Sequence, residues 1–159
     1  MIIVSACLLG LNTKYDGKSN SHDLLQKYSS LAKYIPVCPE QLGGLPTPRV
    51  PVEIIDGTGQ DVLKGLCVAQ GEQGEVVSTE FIRGAKEVLK ITEMVKVTAA
   101  ILKERSPSCG VNHIYDGTFS HRIKSGQGVT AALLKEYNIP IYSEEGLTEE
   151  KLNELLGEC

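Results

Sequence analysis

The chain has 159 residues, 42% of them hydrophobic and 23% charged, the composition of an ordinary globular protein with room for a real core. A formal net charge of -4 gives no electrostatic reason to expect a nucleic-acid polymer or an anionic membrane as partner. Tryptophan is absent and aromatics make up only 5%, which argues against a surface of base-stacking platforms.

In chain order, Met1-Ile-Ile-Val-Ser-Ala-Cys7 is a β-branched apolar run that predicts a buried strand. Residues 1–9 are too short and too mixed to span a bilayer and lack the cationic start of a signal peptide, so a cytoplasmic location is expected. Thr13 to Gly17 is turn-rich and reads as a loop. Asp23 to Lys33 has helical spacing, with Leu24, Leu25, Tyr28 and Leu31 on one side. Ile35 to Cys38 is a short second strand, and Pro39 to Arg49, with three prolines, reads as a long irregular loop. Residues 52–76 look like short extended pieces joined by turns.

Thr79 to about Val95 is the longest helical stretch, with Thr79 as a possible cap and Phe81, Ile82, Ala85, Val88, Leu89 and Val95 as its apolar stripe. Ala99 to Leu102 is a third strand that runs into Lys103-Glu-Arg-Ser-Pro-Ser-Cys-Gly110. Gly128 to Tyr137 reads as a helix, Ile139 to Tyr142 as a strand, and Thr148 to Leu156 as a last helix with Glu149 and Glu150 favourable at its start. Alternating strands and helices with no repeat or linker predict one α/β domain over residues 1–159. The expected architecture is a three-layer Rossmann-like or flavodoxin-like fold, an open, mostly parallel sheet with helices on both faces.

The five cysteines, Cys7, Cys38, Cys67, Cys109 and Cys159, are odd in number and widely scattered, which argues against a disulfide framework. Cys7, Cys38 and Cys109 each lie at or just beyond the end of a predicted strand. In an open parallel sheet those ends share one edge, and ligands bind in the crevice outside it. Three thiols from three loops can therefore converge. A cysteine ending a strand is ordinarily core, and with no C-x-x-C pair the local signal for zinc or a ferredoxin cluster is weak. Core thiols, a metal site and a catalytic thiol all remain open at this point. The surroundings favour chemistry: Cys38-Pro-Glu40 and Ser106-Pro-Ser-Cys-Gly110 put a carboxylate, hydroxyls and a glycine able to approach a ligand beside thiols. Cys67 has no such context, and neither it nor Cys159 is assigned a role.

The strings Val4-Ser-Ala-Cys-Leu-Leu-Gly10, Lys14-Tyr-Asp-Gly17, Val37-Cys-Pro-Glu-Gln-Leu-Gly-Gly-Leu45, Pro46-Thr-Pro-Arg49, Glu104-Arg-Ser-Pro-Ser-Cys-Gly110 and Gly128-Val-Thr-Ala-Ala-Leu-Leu134 stand in this order. Together they resemble the DUF523 family, which includes the bacterial thiouracil desulfidases, from residue 2 to about residue 145. The resemblance implies a [4Fe-4S] cluster held by only three cysteines, here Cys7, Cys38 and Cys109, with one iron left open. It implies Glu40 as acid/base and Ser106 as an assisting hydroxyl, acting on a small thiolated molecule such as 2- or 4-thiouracil to give the oxo base and sulfide. Asp16, Arg49 and Ser108 are candidate substrate-binding residues, although Asp16 and Arg49 can equally pair charges on loops. Two positions depart from the family pattern: Lys14 stands where arginine is expected before Tyr-Asp-Gly, and Asp61-Val-Leu stands where Asp-Val-Thr is usual.

The implied chemistry is physically coherent, because thiolates are soft ligands and an open iron polarises a soft thiocarbonyl. Two other classes compete: a zinc- or cluster-binding module without turnover, and a metal-free cysteine-nucleophile enzyme. The last lacks an obvious histidine partner, since His22, His113 and His121 show no ligand spacing. Gly126-Gln-Gly128 before a helix can seat an anion but is too short for a dinucleotide fingerprint, and a loop-to-helix turn is the better reading.

Overall fold

The computed structural model describes residues 1–157, so Cys159 lies outside the described residues. Its centre is a four-stranded sheet of β1 (Ile2–Ser5), β2 (Tyr34–Val37), β5 (Ala99–Leu102) and β8 (Ile141–Ser143), in the order β2-β1-β5-β8. All three pairings are parallel, with Ile3 opposite Ile35 on one side and Ala100 on the other. The expected parallel sheet is therefore present, and the chain reverses direction of travel across it between β1 and β5.

Side chains alternate across the sheet, as a pleated strand requires. Ile3, Val37, Ala100 and Leu102 pack against Val88 of α4 (Ser78–Met94) and Leu134 of α5 (Val129–Glu136). Ile2, Val4 and Ile101 point the other way, onto Leu25 of α1 (Asp23–Lys27) and Leu152 of α6 (Glu149–Leu156). All four residues of β1 and of β5 are buried, which is why both read as continuous apolar runs. No helix among the described residues is long and apolar enough to cross a membrane.

Several elements differ from expectation. The helix at Asp23 stops at Lys27 rather than Lys33. Ser29 and Ser30 are weak helix formers, and Leu31 points outward at 71% exposure. The segment from Pro39 is not irregular throughout: Pro39–Leu42 forms α2, with Pro39 at its first position where a missing N–H costs nothing. The stretch 52–76 contains a helix, α3 (Gly59–Leu63), between β3 (Val52–Ile55) and β4 (Val68–Gly71), which pair antiparallel. Thr58 and Asp61 close a capping box there, a serviceable local signal that the glycine-rich context obscured.

Thr79 does not cap α4. Ser78 is the first helical residue, and its hydroxyl accepts instead from the Ala69 amide of β4 at 3.0 Å. Val95 is extended, outside the helix. Thr148 does cap α6, accepting from Lys151 N at 3.1 Å. A second antiparallel pair, β6 (His113–Tyr115) with β7 (Ile123–Ser125), was not foreseen. These extra elements bury Ile54, Val62, Ala69 and Ile114 against the outer faces of α4 and α5, making a second core beyond the sheet.

Helices α2 and α4 meet without side chains between them. A Cβ on Gly43 would lie 2.0 Å from the Glu80 carbonyl oxygen, and one on Gly84 would lie 1.8 Å from the Pro39 carbonyl oxygen. That backbone contact sets the position of α2, which begins one residue after Cys38 and carries Glu40. Gly84→Ala is therefore expected to destabilise the fold by roughly 1–3 kcal/mol, because neither helix can yield without moving the other. Urea unfolding checks this; an unchanged midpoint would mean that the two helices are free to part.

Candidate active site

A cavity of about 440 Å³ opens at the carboxyl edge of the parallel sheet. Cys7, in the 3-10 turn Ala6–Leu9 directly after β1, Cys38, directly after β2, and Cys109, on the loop after β5, all line it. Glu40, Arg49, Ser106 and Ser108 line it too. The crevice lies where the sheet's connections diverge from β1, the place where α/β sheets bind ligands.

All four described cysteines are free thiols. Burial pushes the Cys7 thiol up, against a hydrogen bond from Asn20 that lowers it. Burial likewise raises Cys38 and, most strongly, the enclosed Cys109, whose neighbours Cys7, Cys38 and Glu40 add to the rise. To ligate a metal or a cluster these thiols would have to ionise, since the thiolate is the ligating form. The donor set fits an iron–sulfur cluster. Among the described residues, no three Cys, His, Asp or Glu side chains gather tightly enough to hold one metal ion.

Glu40 is not a solvated loop residue. It sits in the first turn of α2, 9% exposed, with each oxygen occupied. Arg49 Nε donates to Oε2 at 2.5 Å and the Ser108 hydroxyl donates to Oε1 at 3.1 Å. The Arg49 side chain is buried as well. Its other nitrogens donate to Thr47 Oγ1 at 2.9 Å and to the Thr13 carbonyl at 2.9 Å, and one lies 3.9 Å from Cys38 Sγ. Arg49 thus ties the carboxylate, the Cys38 sulfur and the Thr13 loop into one unit, the fixed-fork role that suits guanidinium.

Ser106 and Ser108 have different partners. Ser106 Oγ accepts from the amides of Ser108 at 3.2 Å and Cys109 at 3.0 Å, closing the turn that presents Cys109. It is Ser108, not Ser106, that touches Glu40. Asp16 is outside the cavity wall: it pairs with Lys14 at 3.2 Å and accepts from the Lys18 amide. The departing residue Lys14 does line the cavity, whereas Leu63 at the other departure packs into the second core. Cys67 donates to the Thr58 carbonyl at 3.7 Å, away from the cavity. The N-terminal amides of α5 are not an anion site. Val129 and Thr130 donate to the carbonyls of Pro107 and Ser108, and Gly128 leaves no room for a Cβ, which would lie 2.5 Å from the Ser108 carbonyl carbon.

Sequence reading missed Glu104, which shapes the cysteine loop. This carboxylate, 2% exposed, accepts from the main-chain amides of Val111, Asn112 and His113, each at 2.9 Å, and from Asn112 Nδ2 at 3.0 Å. Burial opposes its charge, but the amides of His113 and Asn112 outweigh burial and hold its pKa down at about 2. The available signal was a charged pair, Lys103-Glu104, immediately after a fully buried strand. Lys103 lines the cavity with its ammonium on Glu144 at 2.6 Å. Tyr15, within the Lys14-Tyr-Asp-Gly17 string, also lines it, as do Glu53, Phe119 and His121, which had no local signal.

A sequence profile of the 2-thiouracil desulfurase family matches residues 2–146. The chain belongs to this family. It is 44% identical over 149 residues to the uncharacterized protein YbbK of Bacillus subtilis (strain 168), covering 94% of this chain and 99% of that one. Among solved structures it resembles that of TudS, a [4Fe-4S]-dependent thiouracil desulfidase of the DUF523 type, with a TM-score of 0.79 and 39% identity over 97% of this chain and 93% of that one.

A folded carboxylate at about 2, against an ordinary 4.5, stabilises the fold fully above 4.5, and that contribution is lost as pH falls toward 2. Glu104→Gln removes the charge that the main-chain amides hold and turns an amide N–H₂ toward the Asn112 Nδ2 donor, and is expected to cost roughly 2–4 kcal/mol at neutral pH. Unfolding curves taken from neutral pH down to the acid range check both effects: the parent should lose stability over that window, and the variant should lack this share of the loss.

Proposed function

We propose that this protein is an iron–sulfur-dependent, non-redox desulfidase acting on a thiolated nucleobase such as 2- or 4-thiouracil. The observation that carries the reading is the gathering of Cys7, Cys38 and Cys109 around one cavity with the buried, hydrogen-bonded Glu40. Cys7, Cys38 and Cys109 would hold a [4Fe-4S] cluster, leaving one iron without a protein ligand. When bound, the cluster supplies an open, soft Lewis-acid position suited to a thiocarbonyl sulfur.

The chain's own residues supply orientation and proton transfer. Water adds to the thiocarbonyl carbon as Glu40 accepts one of its protons; the adduct then loses its hydroxyl proton to solvent as the C=O bond forms and the C–S bond breaks, and Glu40 returns its proton to the departing sulfur, which leaves as hydrosulfide. No electron is gained or lost by the base. Arg49 and Ser108 hold the two Glu40 oxygens in a fixed orientation, so the carboxylate is set before substrate arrives. Ser106 spends its lone pairs on the Ser108 and Cys109 amides and keeps its O–H to donate into the cavity. The likeness to TudS, a [4Fe-4S]-dependent thiouracil desulfidase, supports the same reading.

Serine at position 7, 38 or 109 should strip iron from anaerobically reconstituted protein, while Cys67→Ser should retain it; equal loss from Cys67→Ser would show that the wrong thiols had been chosen. Glu40→Gln should keep its iron yet lose on the order of a hundredfold to ten-thousandfold in the rate of thione disappearance and sulfide release. A fully loaded Glu40→Gln protein that turns over like its parent would remove Glu40 from the mechanism.

A further inference from the structure

The chain has two phenylalanines, and they are used in opposite ways. Phe81 is 1% exposed inside the second core. Phe119 is half-buried, belongs to none of the three core clusters, and lines the cavity from the tip of the β6–β7 hairpin. A large apolar ring kept out of every core needs another reason to be held in place.

The backbone that carries the ring is held firmly. Phe119 has φ of +55°, a left-handed conformation that bulky residues rarely adopt. Two neighbouring restraints impose it. Glu53, itself 9% exposed and a cavity-wall residue, accepts from the amides of Gly117 at 3.0 Å and Phe119 at 3.2 Å through one oxygen. Gly117, at φ of +92°, lies so close over β3 that a Cβ would be 2.6 Å from the Ile54 carbonyl oxygen. A buried carboxylate, a glycine contact and a strained backbone together fix the hairpin tip over the cavity. Strain of this kind persists only where surrounding structure over-determines it, and it concentrates at ligand clamps.

Resting on the desulfidase reading, we infer that Phe119 is the platform on which the planar ring of the substrate stacks, and that Glu53 is the positioning residue that holds it there. An aromatic face binds a flat heteroaromatic base through its π-surface, and does so with little regard for which edge groups the base carries. The polar wall of Glu40, Ser106 and Ser108 then meets the edge of the ring while Phe119 meets its face.

The test uses anaerobically reconstituted holoprotein with verified iron content. Uracil, the product, and 5,6-dihydrouracil, its puckered counterpart, are titrated by calorimetry, and 2-thiouracil turnover is followed in parallel. Phe119→Ala is expected to weaken uracil binding by roughly tenfold to a hundredfold, to affect dihydrouracil much less, and to raise KM more than it lowers kcat. Phe119→Tyr, which keeps the π-face, should bind uracil like the parent, and Phe119→Leu should not. Glu53→Gln should weaken uracil binding while iron content stays full, because the tip loses its charged acceptor. Parent-like uracil binding by Phe119→Ala, or full recovery by leucine, overturns the stacking inference while the desulfidase reading stands. A fully loaded parent that binds neither uracil nor 2-thiouracil overturns the thiobase reading and the inference together.

Discussion

The site depends on a buried carboxylate that main-chain amides hold in its charged form. Glu104 closes the segment from residue 104 to residue 113 by drawing the amides of Val111, Asn112 and His113 onto one oxygen. Inside that closed segment lie Ser106, Ser108 and Cys109, so one hydrogen-bonded charge sets the position of a thiol, a turn-closing hydroxyl and the hydroxyl that touches Glu40. Amide dipoles in a low-dielectric interior hold such a charge well, and the depressed pKa of Glu104 is the measure of it. The helix that follows packs onto the same segment, with α5 amides donating to the Pro107 and Ser108 carbonyls. Loop and helix start complete one another's backbone hydrogen bonds.

The buried ion pair of Glu40 with Arg49 performs the same task on the other wall. Arg49 spans from the carboxylate to the Thr13 carbonyl and comes within 3.9 Å of Cys38 Sγ. Removing one partner of such a pair would strand the other in the interior, so the pair is best understood as a means of fixing geometry rather than of adding stability. Buried groups of both signs beside three thiols give the cavity a fixed polar wall, in which charge can be developed or dispersed at small reorganisation cost.

Much of this was legible in the sequence, and the reasons differ by element. β1 and β5 read correctly because strands buried on both faces must be apolar throughout. Cys7, Cys38 and Cys109 converge because the loops after parallel strands share an edge, a consequence of topology and not of spacing along the chain. The short helices α2 and α3 were obscured by proline and glycine, which serve there as a first-turn residue and a close-contact residue. The β6–β7 hairpin escaped because its strands are three residues each and its tip is seven residues long, too little periodicity to detect. Glu104 and Glu53 escaped for a deeper reason: their partners are backbone amides, and backbone amides leave no mark on composition. Ser106 and Ser108 stand two residues apart in one motif, and only the fold distinguishes the one that closes the turn from the one that reaches Glu40.

The antiparallel pairs and the parallel sheet divide the cavity between them. Thiols come from the ends of β1, β2 and β5, whereas Glu53 and Phe119 come from β3 and the β6–β7 tip. The hairpin tip joins the rest of the wall through Glu53 and the close approach of Gly117 to β3, two contacts confined to that corner. In evolutionary terms the two halves can drift at different rates. Residues 116–122 hold none of the three thiols, none of the amide partners of Glu104 and neither member of the Glu40–Arg49 pair, so a change confined to them leaves those supports in place.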